Sequence, residues 1–225
     1  MFGFSGKLCI FALLLIWLTD FQKVMIKLYQ ENPNPKQIQQ IVDVLKDGGL
    51  IIYPTDTIYA IGCDIFNAKA VEKVCQMKGV SSAKANLSFV CKDLSHIAEY
   101  AKVSTPVFKL MKRYLPGPYT FILNGSHQLP KLFKQKKTVG IRIPDNAIAL
   151  AIVEALGNPL LSMTLKDDYD EVEYTCDPEL IEERYGRQVV MVIDGGMGQI
   201  EASTLIDCTV DEPIVVRQGL GEVDF

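Results

Sequence analysis

The 225-residue chain has little of what builds a metal centre or a disulfide framework. Its two histidines, His96 and His127, stand away from any cysteine or carboxylate cluster at metal-ligand spacing, which argues against a zinc site. Its six cysteines (9, 63, 75, 91, 176 and 208) include no C-x-x-C pair and no regular spacing. A chain of this length needs no disulfide staples, so they read as free thiols in a reducing compartment, which points to the cytoplasm. No Walker A loop and no G-x-S-x-G elbow occurs, so phosphate, if bound, is bound without a P-loop. The net charge of −4 gives no overall attraction to nucleic acid or anionic lipid, and any basic contact surface has to be local. Internal repeats and low-complexity linkers are missing too. The longest apolar run, LCIFALLLIWL at 8–18, is about half of the roughly 20 residues a membrane-spanning helix requires. Its length suits a signal-peptide core behind Lys7, but TDFQKVM follows it in place of a small-x-small cleavage site. We read residues 1–24 as an apolar extension outside the domain and residues 25–225 as one domain, with no membrane association.

From Met25 onward, strand-like and helix-like patterns alternate. Asn34-Pro35 reads as a helix start, with Ile38, Ile41, Val42 and Leu45 at helical spacing and Gly48-Gly49 closing the segment. Further helices are expected after Asn67, after Ser104, behind an Asp145 cap with Ile148, Ala151, Ile152 and Ala155 inward, and after Asp177. Strands are expected at 50–53, 87–91, 119–123, 138–143, 159–163, 189–194, 203–207 and 213–217. The pattern predicts an α/β fold, a twisted mixed sheet with flanking helices in one domain. Adjacent strands near 119–142 and 189–217 imply antiparallel pairs.

Three places could carry chemistry. In LIIYPTDTIYAIG (50–62), Pro54 ends a strand ladder and leaves Thr55, Asp56 and Thr57 where a strand meets a loop. Ligands of α/β sheets commonly bind at such a point. The same three residues equally suit a turn that satisfies its own backbone. Lys78, Arg142 and Arg217 each stand beside a Gly or Pro at the end of an apolar segment, and cations fixed in this way suit an oxyanion or polyphosphate. The third place is KLFKQKK (131–137), where Lys131, Lys134, Lys136 and Lys137 could meet an RNA backbone or form a solvated loop. GGMGQ (195–199) reads as turn glycines, because a strand-like STLID follows where a dinucleotide motif would open a helix.

Six motifs occur in the order of the YrdC-like family, the threonylcarbamoyl-adenylate synthases of tRNA modification. They are Pro54-Thr55-Asp56-Thr57-x-Tyr59, Lys78, Pro116-Gly117-Pro118-x-Thr120, Gly140-x-Arg142-x-Pro144, Ser203-Thr204-x-x-Asp207 and Arg217-x-Gly219. YAIGCD, SFVCKDLS and the DPEL helix most resemble its YciO branch. The resemblance implies a large concave cleft and a nucleotidyltransferase reaction, in which L-threonine, bicarbonate and ATP give threonylcarbamoyl-AMP and pyrophosphate. The product passes to a transferase acting on adenosine-37 of tRNA. It further implies Lys78 and Arg142 as catalytic cations, with Thr55, Asp56, Thr57, Tyr59 and Thr120 around threonine and bicarbonate. Lys84, Ser162, Thr164, Ser203, Thr204 and Arg217 would surround the nucleotide, and Mg²⁺ would come with ATP, held by phosphate oxygens and water. The resemblance breaks in two places. Val80 stands where the synthases continue Lys-Gly-Arg, and Thr164-Leu165-Lys166 stands where they carry Ser-Ala-Asn. Lys84 and Lys166 are candidates to replace the lost contacts. A non-catalytic protein of the same fold that binds double-stranded RNA or tRNA is the alternative.

Overall fold

A computed structural model describes residues 24–80, 87–127, 129–133, 136–165 and 173–225. Helix α1 (Pro35–Lys46) begins as its sequence predicts, with Asn34 Oδ1 accepting the Lys36 N–H at 2.9 Å. Asn67, Ser104 and Asp177 likewise cap α2 (Ala68–Met77), α4 (Thr105–Tyr114) and α7 (Pro178–Tyr185). The short α3 (Ile97–Tyr100) and α6 (Glu173–Cys176) carry no periodicity long enough to announce them.

Helix α5 (Ala147–Leu156) corrects one expectation. Its cap is Asn146, whose Oδ1 accepts the Ala149 N–H at 3.0 Å, and not Asp145. The buried stripe is therefore Ile148, Ala149, Ile152, Val153 and Leu156, leaving Ala155 exposed and Ala151 half-buried.

Eleven strands form one sheet. They are β1 (Val24–Lys27), β2 (Ile51–Tyr53), β3 (Ala60–Asp64), β4 (Ser88–Val90), β5 (Ala101–Lys102), β6 (Tyr119–Gly125), β7 (Thr138–Arg142), β8 (Leu160–Thr164), β9 (Met191–Asp194), β10 (Thr204–Asp207) and β11 (Ile214–Arg217). Their order is β1-β9-β2-β3-β8-β4-β7-β6-β10-β11, with β5 also on β6. The antiparallel pair foreseen near 119–142 is β6 with β7. Near 189–217 only β10 and β11 pair that way. Strand β9 is buried along its whole length and runs parallel between β1 and β2, while β10 runs parallel to β6. A strand buried on both faces suits parallel company, and the segment after Asp194 carries the chain across the sheet.

Alternation along each strand divides the interior into two cores. Ile52, Ile61, Phe89, Phe121, Ile141 and Leu161 join α2, α4 and α7 on one face. Ile51, Tyr53, Ala60, Val90, Leu160 and Ile193 join α1 and α5 on the other. The apolar run at 8–18 lies outside the described residues, and among those no helix is long and apolar enough to cross a membrane.

Candidate functional site

The face that carries α1 and α5 changes character between β3 and β6. Register places Gly62 opposite Ser162, Ser162 opposite Ser88, Ser88 opposite Gly140, and Gly140 opposite Ile122. Cross-strand partners share a face, so glycines and serines form a row across four of these strands. The row is partly open to solvent at Ser88, Gly140 and Ile122, whereas Phe89, Ile141 and Phe121 on the opposite face are fully buried. At one end of the row the ring of Tyr53 lies in the space where Gly62 has no side chain, and its hydroxyl donates to Ser162 Oγ at 2.8 Å. Burial pushes the Tyr53 phenol up to about 12, despite the opposing bond from Ser162 and charge of Arg142. Strand-interior glycines commonly mark such a close approach, and that signal at Gly62 and Gly140 could have found this floor from sequence.

Arg142 lies two residues beyond Gly140 on β7, on the same face, with 6 % of its surface exposed. Its Nη2 donates to Asp56 Oδ1 at 2.5 Å, to Thr57 Oγ1 at 2.6 Å and to Thr55 Oγ1 at 3.2 Å. The loop after β2 is a turn that satisfies its own backbone, and it also holds Arg142. Thr55 Oγ1 accepts its own Thr57 N–H at 3.0 Å and donates to the Ile58 carbonyl at 2.9 Å, while the outward oxygens close on the arginine. Asp56 Oδ2 accepts the Asp145 N–H at 3.0 Å, just ahead of the α5 cap. The acid expected to face threonine is therefore engaged on both oxygens. Arg142 Nε is buried with no hydrogen-bond partner, and Nη1 takes no bond among the described residues.

Arg217 approaches from β11. The residue lies exposed on β11, but desolvation of its head group and then the charge of Arg142 push its guanidinium below the usual range, so the two cations feel each other's charge. Among the described residues Arg217 has no carboxylate partner; its Nη2 donates to the Ser203 carbonyl at 2.8 Å. Ser203 Oγ and Thr120 Oγ1 share a bond of 2.7 Å, which ties β6 to the start of β10. Two guanidiniums that feel each other's charge, with Asp56 paired to Arg142 alone among them, leave surplus positive charge, which an anion would relieve.

Other candidates have internal duties. Tyr59 is fully buried, and its hydroxyl donates to the Gly196 carbonyl at 2.7 Å and accepts the Gly195 N–H at 3.0 Å, so it pins the loop after β9 and does not line the open face. Thr204, also fully buried, donates to the Gly221 carbonyl and accepts the Gly219 N–H, fastening the C-terminal segment. Lys78 caps the end of α2 and donates to the Leu165 carbonyl at 3.1 Å, next to the half-buried Thr164 at the end of β8. GGMGQ is a loop as expected, with Gly195 against Pro54 and Gly198 against the Tyr59 ring. Lys84, Lys134 and Lys166 lie outside the described residues, as does the side chain of Lys131. Lys137 is exposed. Lys136 is half-buried, with its ammonium pushed down by burial and its charge felt by Cys75 of α2, which places it on the side of α2, opposite the glycine–serine row. Among the described residues no group of three or more His, Cys, Asp or Glu side chains is placed to hold a metal ion.

The family model that covers Sua5, YciO and YrdC proteins, described as telomere recombination, matches residues 43–219. The chain belongs to the Sua5/YciO/YrdC family. The match spans the loop after β2, the glycine–serine row and both guanidiniums. The YciO protein of Escherichia coli K12, called uncharacterized, is 41 % identical over 87 % of this chain and 95 % of its own. A crystal structure of E. coli YciO superposes with a TM-score of 0.81 at 40 % identity, covering 88 % of this chain and 96 % of that one. A putative threonylcarbamoyl-AMP synthase of Methanocaldococcus jannaschii is 32 % identical over 87 % of this chain and 93 % of its own. The Sua5 protein of Pyrococcus abyssi, crystallised with L-threonine, superposes with a TM-score of 0.78 at 25 % identity over 87 % of this chain and 57 % of its own. The α/β fold with one open mixed sheet is that of these YciO and Sua5 structures.

Proposed function

We propose that this family member is a nucleotidyltransferase of the threonylcarbamoyl-AMP synthase type, acting in the cytoplasm on L-threonine, bicarbonate and ATP. The observation that carries the reading is Arg142, buried and clamped by the Thr55–Thr57 loop, facing an Arg217 that has no carboxylate partner among the described residues. In this reading the threonine amine and bicarbonate give a carbamate and water. A carbamate oxygen then bonds to the α-phosphorus of ATP as the bond to the β-phosphate oxygen breaks and pyrophosphate leaves. Charge builds on phosphate oxygens in that step, and fixed guanidiniums stabilise it, Arg142 from a buried position and Arg217 from an exposed strand. Arg142 and Arg217 supply that stabilisation. Lys78, Ser162 and Thr164 border the nucleotide, while Thr120 and Ser203 close the far wall. Any Mg²⁺ comes with ATP on phosphate oxygens, consistent with a site rich in guanidinium and with its one central carboxylate already paired. Relatives named threonylcarbamoyl-AMP synthase and a threonine-bound Sua5 support this assignment.

Val80 replaces a cation of the synthases and their Ser-Ala-Asn loop is not kept, so turnover is expected to be weak or altered in substrate. Losing one charged contact of this kind lowers the rate by about two decades. The product would go to a transferase acting on tRNA adenosine-37. The test is pyrophosphate release with ATP and bicarbonate, with and without threonine. Threonine-dependent release supports the proposal. No such release, together with no thermal shift from ATP or threonine, refutes it. In that event, affinity for double-stranded RNA or tRNA that falls steeply with salt would favour the non-catalytic reading. The position of Lys136 beside α2 does not favour it.

A further inference from the structure

Asp56 has no idle oxygen. Oδ1 takes Arg142 at 2.5 Å and Oδ2 takes the Asp145 N–H at 3.0 Å, with 8 % of the acid side chain and 7 % of the arginine side chain exposed. Nη2 of Arg142 has two hydrogens and three oxygens within 3.2 Å, so the loop after β2 is oversupplied with acceptors for that one nitrogen. The other two nitrogens receive none of them. A loop built to bind an ammonium would leave its carboxylate to the ligand, whereas this one loads a single corner of a guanidinium and leaves the remaining N–H groups free.

We infer that Asp56 is a positioning residue for Arg142 and that it does not hold the amine of the substrate. The inference rests on the reading proposed above for the amine and deepens it. Carbamate formation needs the lone pair of a neutral amine: R–NH₂ and HCO₃⁻ give R–NH–COO⁻ and H₂O, as an N–C bond forms and a C–O bond breaks. A free carboxylate beside the amine would hold it as the unreactive ammonium. With Asp56 and Arg142 paired to near neutrality, the nearby uncompensated charge is that of Arg217, and its field favours the neutral amine and the anionic carbamate. Asp56 thereby orients the cation and withholds a competing negative charge at once.

The substitution Asp56→Asn keeps the shape of the side chain and removes its charge. Three quantities are measured on the full chain: pyrophosphate affinity by calorimetry, the threonine KM, and kcat from pyrophosphate release. We expect pyrophosphate affinity and kcat to fall about tenfold or more while the threonine KM stays within about twofold. Combining Asp56→Asn with Arg142→Lys should cost little more than Arg142→Lys alone, because both changes spoil one arrangement. A threonine KM raised tenfold with pyrophosphate affinity unchanged would overturn the inference, as would additive losses in the double variant. If the wild type releases no threonine-dependent pyrophosphate, the proposed reaction fails, and pyrophosphate binding alone judges the positioning. For a wild type that binds no pyrophosphate either, the same pair is read in urea denaturation: coupled losses sustain the positioning role and additive ones overturn it.

Discussion

Gly62→Ala probes the floor of the open face without touching a charged group. A Cβ at this position would sit 2.7 Å from Tyr53 Cε1 and 2.9 Å from Leu160 Cδ2, and neither of those residues has any exposed surface. The tyrosine ring must move, because the sheet backbone beneath it is bonded on both sides to β2 and β8. Overpacking of this kind costs about 1–3 kcal/mol. Displacing the ring also breaks the 2.8 Å bond to Ser162, for about 1 kcal/mol more. Alanine offsets about 0.5–1 kcal/mol by its better strand conformation. The net loss is about 1–3.5 kcal/mol, which lowers Tm by roughly 2–14 °C for a domain of this size. Urea denaturation followed by far-UV circular dichroism measures it. Tyr53→Phe is the companion variant: it keeps the ring, removes the hydroxyl and should cost only about 1–2 kcal/mol. Tyr53→Ala vacates the space, so adding Gly62→Ala in that background should cost less than half of what it costs alone. An equal cost in both backgrounds, or a loss below about 0.5 kcal/mol in the wild type, would show that the ring does not cross Gly62 and that the proposed floor is wrong.

Two further outcomes follow from the same packing. Burial raises Tyr53 to about 12 from an ordinary 10.0, and Cys91 to about 12 from 9.0. The folded chain therefore keeps protons that the unfolded chain gives up, so stability is intact below pH 9 and falls as pH rises from 9 to 12. The two groups together amount to a loss on the order of 3–4 kcal/mol by pH 11, read from urea midpoints under reducing conditions. Midpoints that are flat or rise over that range contradict it, and Tyr53→Phe should flatten part of the slope. At the other end of the sheet, Thr204→Val removes the hydroxyl that holds Gly219 and Gly221. Amide exchange at Gly219 and Leu220 should quicken about tenfold while β6 stays protected, and unchanged exchange would mean that the hydroxyl does not fasten this segment.

How far the sequence could be read depended on whether the decisive interaction was local. Asn34, Asn67, Ser104 and Asp177 each cap a helix through their own next few residues, so those helix starts were legible from spacing alone. The cap of α5 was misplaced by one residue because Asp145 and Asn146 are equally good caps in isolation. Spacing does not separate them; in the structure Asn146 Oδ1 takes the Ala149 N–H, while the Asp145 N–H bonds to Asp56 from across the fold. The same distance hid the allegiance of Asp56 itself. An acid among threonines reads as a place for an ammonium until Arg142, 86 residues later, closes on it. Register explains the rest. Ser162, Ser88, Gly140 and Gly62 come from four separate segments, and only strand pairing puts them on one face. Motif order could propose residues for the open face, and the family match spans them at 43–219. It could not say which of them look outward. Arg142 keeps N–H groups and Arg217 keeps charge to spare for a ligand, whereas Tyr59, Thr204 and Asp56 spend their polar atoms holding the face in shape. A role therefore transfers from a family motif to a residue only when the partners of its polar atoms leave something free to bind with.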